Sequence, residues 1–282
     1  MKKKIISLTL FSIFILILLN YKIVLTSSLN AYELWLNKVF PFLFIMIILN
    51  DILLSLNIVN LFKNKYNYIF FTSLLSGTPT NAYIITNLYQ KKIIPKDFAS
   101  YALLTTSFCN PLFIINILNN LFSKKFAYKI IFVHYLTKLI ISIIYHNKLK
   151  CPNIVINKTT FNLTNSIKKA INTNLTVFGT IALFLIISNI IINIFTPPLI
   201  IKIIIKGILE LTQGLNSLIL FNHSLLIKEI LTILFLSFGG LSIHMQIKTI
   251  LNETDLDYKY FLKGRLIEVI ISIALTLLLY KL

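Results

Sequence analysis

The sequence predicts an all-α polytopic membrane protein, and three observations carry that prediction. Hydrophobic residues make up 57% of the 282 and charged residues only 13%, against roughly 25% charged in a soluble domain. Mean hydropathy is +0.84, and uncharged runs fill Ile5–Tyr21, Tyr66–Gln90, Phe98–Ser123 and Ala170–Ile201, near or above the ~20 residues a spanning helix needs. Two apolar stretches are also broken near their middles, at Ser76-Gly77-Thr78-Pro79-Thr80-Asn81-Ala82 and at Ser237-Phe238-Gly239-Gly240-Leu241-Ser242-Ile243-His244-Met245-Gln246. Lipid offers an opened backbone no hydrogen bonds, so such breaks are shielded by protein or line a water-filled cavity. Paired breaks in two halves of a membrane protein point to a binding site.

Residues 1–30 are expected to form an N-terminal helix, with a span at about Ile5–Leu25 and its start in the cytoplasm. The apolar part is long for a signal peptide and no small-x-small cleavage site follows it, so the helix is expected to stay uncleaved. Residues 31–147 form a first repeat. A polar lead-in, Glu33 to Asn37, precedes a span at about Val39–Val59 that contains Pro41 and Asp51. The arm Tyr66–Leu75, ten residues, is about 15 Å long as a helix, half of a ~30 Å hydrocarbon core. Lys63 and Lys65 precede this segment, and Lys91, Lys92 and Lys96 follow it. Like charge at both ends favours a re-entrant hairpin at 66–92 over a span. Spans at Phe98–Phe122, interrupted by Asn110-Pro111, and Ala127–His146 complete the repeat.

Residues 148–169 form the one long polar loop, lysine-rich and expected in the cytoplasm. The second repeat, 170–282, opens with a span at Ile171–Phe195. In Leu199–Asn222, Lys202, Lys206, Glu210, Gln213 and Ser217 recur at helical steps, as in an interfacial amphipathic helix. A second hairpin is expected at 226–251 and a last span at Tyr260–Tyr280. The order span, hairpin, span thus occurs twice. About six spans plus two re-entrant hairpins, in two inverted repeats, return the C-terminus to the cytoplasm. This arrangement leaves Lys124, Lys125 and Lys129 outside, so eight or nine full spans stay open as the alternative.

The net charge of +18 does not mark a nucleic-acid binder, because all but one of the 27 basic residues are lysines scattered at helix ends. Anionic lipid accounts for them. Cys109 and Cys151 have neither metal nor redox spacing. No His-Glu-x-x-His, nucleotide-binding glycine loop or Gly-x-Ser-x-Gly occurs, so no enzymatic constellation, cofactor or metal site is expected.

The candidate solute contacts lie at the breaks. Gly77 and Pro79 break the first helix, while Thr78, Thr80 and Asn81 offer hydroxyl and amide groups beside free helix N–H groups. Pro111 removes a helical N–H, and Asn110 before it can donate and accept. Gly239 and Gly240 loosen the second break. Ser242, His244 and Gln246 alternate with apolar residues, which predicts an extended strip with one polar face. His244 at membrane depth is a candidate ligand contact or proton relay; His134, His146 and His223 are weaker candidates. Glu210 and Arg265 are candidate coupling or structural charges, with local pairs Lys206–Glu210 and Arg265–Glu268 as the simpler reading.

The strings Leu75-Ser76-Gly77-Thr78-Pro79-Thr80-Asn81-Ala82, Asn110-Pro111-Leu112-Phe113-Ile114 and Phe238 to Gln246 resemble the YlbJ-like sporulation integral membrane proteins of the nucleoside-recognition, or Gate-domain, group. Trp35 to Leu53, His134-Tyr135-Leu136, Gly207 to Gly214 and Tyr260 to Arg265 extend the resemblance to the C-terminus. Departures are Asn81 in place of a second Gly, Thr78 in place of a larger residue, and Cys109 where Ser is usual. The resemblance implies a multi-pass cell-membrane protein of spore-forming bacteria with a transport role and an unspecified substrate. The expected function is therefore movement of a small polar solute, nucleoside-like or of unknown class, across the cytoplasmic or forespore membrane. A membrane scaffold recruiting partners for spore envelope assembly through 148–169 is the alternative. Expected partners are membrane lipid and the solute, with homo-oligomerisation left open.

Overall fold

A computed structural model describes residue 11, residues 15–150 and residues 161–281. Residues 5–10 and 12–14 of the expected first span, and residues 151–160 of the expected loop, lie outside those residues. Every regular element among the described residues is helical. Tyr21–Leu34 (α1), a π-helical turn at Trp35–Val39 and Phe40–Ser55 (α2) form one rod of 35 residues. The expected boundary at residue 30 and the polar lead-in are thus absorbed into a helix. Glu33 and Asn37 sit on its exposed side, while Trp35 is buried with its ring 5.3 Å from Phe178.

Lys65–Ser76 (α3) and Thr80–Gln90 (α4) follow, packed against each other on either side of the first break. Asn64 caps α3, its side chain accepting from the Tyr66 N–H at 2.9 Å. Lys96–Thr105 (α5) and Pro111–Leu121 (α6) are separated by an unwound stretch at 106–110, and Lys124–Ile144 (α7) closes the first half. Leu163–Phe195 (α8) starts inside the segment expected to be loop. Asn162 caps it by accepting from the Asn165 N–H at 3.0 Å, so 163–169 are its first two turns. Leu199–Leu209 (α9), Leu211–Ser217 (α10), Leu225–Phe238 (α11), Gly240–Leu251 (α12) and Lys259–Lys281 (α13) complete the chain. Among the described residues, four helical segments are long and apolar enough to cross a membrane: 21–55, 124–144, 163–195 and 225–251. The chain is a multi-pass integral membrane protein.

The second pair of packed arms differs from the sequence expectation. The segment 226–251 is broken at Gly239–Gly240, but its halves part company. The outer half, α11, packs on α13 and α7, and α12 packs on α8, α4 and α9. The side-by-side pair is instead α9 and α10, with Glu210 at the turn. What looked like one interfacial helix with a polar stripe is therefore folded back on itself. Gly207 and Gly214 make the fold-back sterically feasible: a Cβ on Gly214 would strike the Gly207 backbone, and one on Gly207 would strike the ring of Phe235.

The bundle has two ends. At one, Lys96 pairs with Asp255 at 2.7 Å, the Gln90 side chain donates to the Glu253 carbonyl, and Ser166 donates to Asp51 at 2.7 Å. Hydrogen bonds from Lys96 and Tyr89 hold the exposed Asp255 below the usual carboxylate range. At the other end, Lys129 pairs with Glu229 at 2.8 Å and Lys228 lies over the ring of Phe122. Three apolar clusters fill the interior: α3–α5 with part of α12, α6–α7 with α9–α11, and α1–α2 with α8.

Gly214→Val is expected to overpack the α9–α10 crossing and destabilise the protein by ~1–3 kcal/mol or more. Gly179→Ala, whose new Cβ would meet nothing within 4 Å, should be neutral or up to ~1 kcal/mol stabilising in its helix. Thermal unfolding in detergent compares the two.

Candidate functional site

Both breaks open the backbone, and both are closed by named side chains. At the first, α3 ends at Gly77, whose φ of 71° is left-handed and suits glycine. A Cβ there would come within 2.7 Å of the Asn110 nitrogen, so the α3–α4 turn sits directly on the α5–α6 break. Thr78 N–H donates to Phe108 O at 2.9 Å, and the Asn110 amide donates to Leu75 O at 2.7 Å. Asn110 also caps α6, accepting from the N–H groups of Leu112 and Phe113, with Pro111 at the first helical position. The Asn81 amide donates to Thr106 O and Ser107 Oγ, both at 3.2 Å. Tyr135 donates to Cys109 O, and Cys109 N–H donates to His134 Nε2 at 3.1 Å.

The second break mirrors this arrangement. Three carbonyls at the end of α11 each receive a side-chain donor: Leu236 O from Cys109 Sγ at 3.6 Å, Ser237 O from Arg265 Nη1 at 3.3 Å and Phe238 O from His244 Nε2 at 2.9 Å. His244 Nδ1 then accepts from Tyr258 OH at 2.5 Å. Gly239 and Gly240 both have positive φ, and a Cβ on Gly240 would come within 2.9 Å of the Leu211 nitrogen. The second break is therefore pressed against the α9–α10 turn, as the first turn is pressed against the first break.

A buried ionic cluster connects the two. Glu268, fully buried on α13, meets Lys138 at 2.5 Å, Arg265 at 3.0 Å and His134 at 3.1 Å. Because His134 Nε2 accepts from Cys109, its Nδ1–H faces the carboxylate. The expected Arg265–Glu268 pair is present, enlarged by two α7 residues. The expected Lys206–Glu210 pair is absent among the described salt bridges. Glu210 is instead 3% exposed and caps α10, accepting from the Gln213 N–H at 2.8 Å. Asp51 likewise has neutral partners, Tyr83, Asn87 and Ser166, and so ties α2, α4 and α8 together.

A cavity of about 530 Å³ lies between the turns and the breaks. Thr78, Pro79 and Thr80 line it from the first turn, Asn110 from the first break, Glu210 and Thr212 from the second turn, and Ser242 and Gln246 from α12. Of the sequence candidates, Gly77, Asn81, Pro111, Gly239, Gly240, His244 and Arg265 do not line it. They shape or saturate the broken backbone behind it. The expected extended strip at 242–246 is helical. In a helix, residues two apart do not share a face, so Ser242 and Gln246 face the cavity while His244 caps α11. Ser242 Oγ is buried there without a protein partner. Sequence reasoning missed Lys38 and Asn116, which also line the cavity. Lys38 projects from the π-turn, a feature frequent at functional sites and a mid-rod lysine that the polar lead-in concealed.

These features define a class: a multi-pass helical membrane protein whose helices break against the wall of a largely apolar cavity that carries a few convergent polar groups. Among curated proteins, the chain is similar to the sporulation integral membrane protein YlbJ of Bacillus subtilis (strain 168), 33% identical over 78 residues. The match takes in 28% of this chain and 19% of that protein's length, so the resemblance expected from the sequence is found over that stretch. No family model and no solved structure matches the chain.

Glu268→Gln is expected to leave Lys138 and Arg265 buried beside a neutral amide, at a cost of ~3–5 kcal/mol. Adding Lys138→Met should recover part of the loss. Unfolding temperatures of the single and double variants in detergent test this.

Proposed function

We propose that the chain is a transporter-like membrane protein of sporulation that moves a small polar solute across the cytoplasmic or forespore membrane. The observation that carries this reading is the convergence of two helical turns and two helix breaks on one cavity, apolar over most of its wall, into which each of them brings polar groups. Polar and ionisable groups at membrane depth mark solute and ion pathways, and broken helices around a midplane site are how many secondary transporters are built.

The element order supports two inverted repeats. The pair α3–α4 precedes the broken α5–α6 and whole α7; α9–α10 precedes the broken α11–α12 and whole α13. The first pair starts and finishes at the Lys96–Asp255 end, and the second at the Lys129–Glu229 end. On this reading the described residues make six crossings and two hairpins. Because 225–251 crosses and 199–217 does not, the C-terminus falls at the end opposite the 148–169 loop, one crossing different from the sequence expectation.

Among the described residues that line the cavity, Glu210 is the one carboxylate and Lys38 the one ammonium, beside Thr78, Thr80, Asn110, Ser242 and Gln246 and a larger apolar wall that includes Phe42, Leu43 and Phe113. Such a lining suits a solute rich in hydroxyl, amide or amino groups, nucleosides included. Its expected signature is a stabilising shift when purified protein is screened against nucleosides, cell-wall precursors and amino acids. A ligand at a hundred times its Kd adds about 2.7 kcal/mol. Glu210→Gln should abolish the shift while the protein stays folded. The same shift in native and Glu210→Gln protein, or none with any solute together with unimpaired sporulation by a Thr78→Ala/Glu210→Gln/Gln246→Ala variant, would overturn the proposal.

A further inference from the structure

A second cavity of about 250 Å³ adjoins the first. Its walls are three helix faces: Thr86 and Gln90 on α4, Asn172 and Thr176 on α8, and Gln246 with Thr249 on α12. Each pair is three or four residues apart, so each is a polar stripe on one side of its helix. The three stripes face one another inside a membrane protein, where polar faces are expensive unless they border water or a solute. Lys169 and Glu253 line the same cavity, which places it toward the Lys96–Asp255 end of the bundle. The first cavity extends the other way, along α6 to Asn116 and Asn119 and toward Lys38.

Two residues line both cavities, Val177 and Gln246. Gln246 is 3% exposed and sits one turn beyond Ser242 on α12, the helix that starts at Gly240. Its amide can donate to and accept from a solute on either side.

We infer that the two cavities are halves of one solute path and that Gln246, which with Val177 lines both of them, is the gate between them. The inference rests on the transport reading above and adds to it a second half-path and a named barrier. A turn of α12 about Gly239–Gly240 would carry Gln246 away from Val177 and join the halves. The Leu236 and Ser237 carbonyls behind the pivot would stay held by Cys109 and Arg265, while the Phe238 carbonyl would shift against His244, which turns with α12. The path suits a solute small enough to pass a single amide side chain.

The test uses the full chain in sealed proteoliposomes and a membrane-impermeant sulfonate-bearing methanethiosulfonate as probe. Cys109→Ser and Cys151→Ser provide the background; if Cys109→Ser fails to fold, the buried Cys109 is kept and its labelling in the parent chain is subtracted. Asn116→Cys reports on the first cavity and Thr249→Cys on the second. The two cysteines are expected to react from opposite membrane faces. Gln246→Ala should raise the reaction of each from its disfavoured face at least tenfold. Reaction of both from one face, or a Gln246→Ala change below twofold, overturns the gate. Labelling is read with no solute present, so failure of the gate is separable from failure of solute binding, which the Glu210→Gln thermal shift reads.

Discussion

The constraint on which the rest depends is the opened backbone. Helices that stop inside hydrocarbon leave N–H and C=O groups that water cannot satisfy, and each unsatisfied group costs several kcal/mol. Here the debt is met almost group by group. The last carbonyls of α11 take Cys109, Arg265 and His244; the unwound 106–110 takes Asn81, Thr78, Tyr135 and His134; the end of α3 takes Asn110. These side-chain and turn partners come from the other break, from the neighbouring turn or from α7, α12 and α13. The breaks are therefore not independent kinks. Removing one changes the saturation of the next.

The ionic cluster has to be understood in that light. Two cations and one carboxylate buried together are a poor source of stability, since desolvation offsets their attraction. Their positions explain why they are there. Glu268 orients His134 on the α7 side, where His134 accepts the Cys109 N–H, and Arg265 on its own helix, where Arg265 reaches Ser237 O. One carboxylate thereby aims the partners of both breaks. Arg265 is the sole arginine of the chain, and a planar, many-donor guanidinium can bond a carboxylate and a backbone carbonyl together where an ammonium is a single point. Both bonds leave one nitrogen, Nη1, while Nε and Nη2 are buried without a hydrogen-bond partner.

Much of the fold was legible in the sequence, and the reasons are local. The membrane class follows from composition. The first turn, the 110–111 break and the 239–240 break announce themselves through Gly, Pro and Asn, residues that leave a helix for steric reasons. The second turn does not: Glu210 adopts an extended conformation with no Gly or Pro beside it. Its signal lay in Gly207 and Gly214, placed symmetrically about the turn, which allow two arms to touch. The continuous rod at 21–55 was hidden by Glu33 and Asn37, whose polarity belongs to an exposed stripe and not to a loop. Side-chain partners were beyond reach, because Asn81 and Thr106, or Cys109 and Leu236, are far apart in the chain and meet only once the helices pack.

That difference also decides what kind of residue each candidate is. Polarity at membrane depth is evidence of need, but two needs compete for it: saturating the backbone and meeting a solute. His244, Asn81 and Arg265 are taken up by the first. Ser242, Gln246 and Thr78 line the cavity, where Ser242 Oγ has no protein partner, and Glu210 serves both needs, lining the cavity while it caps α10. The division runs within single helices: along α12, His244 belongs to the break and Ser242 and Gln246 to the cavity, set apart only by the turn of the helix. Once the backbone is saturated, the polar groups left facing the cavity are the ones free to meet a solute, and the proposed transport rests on them.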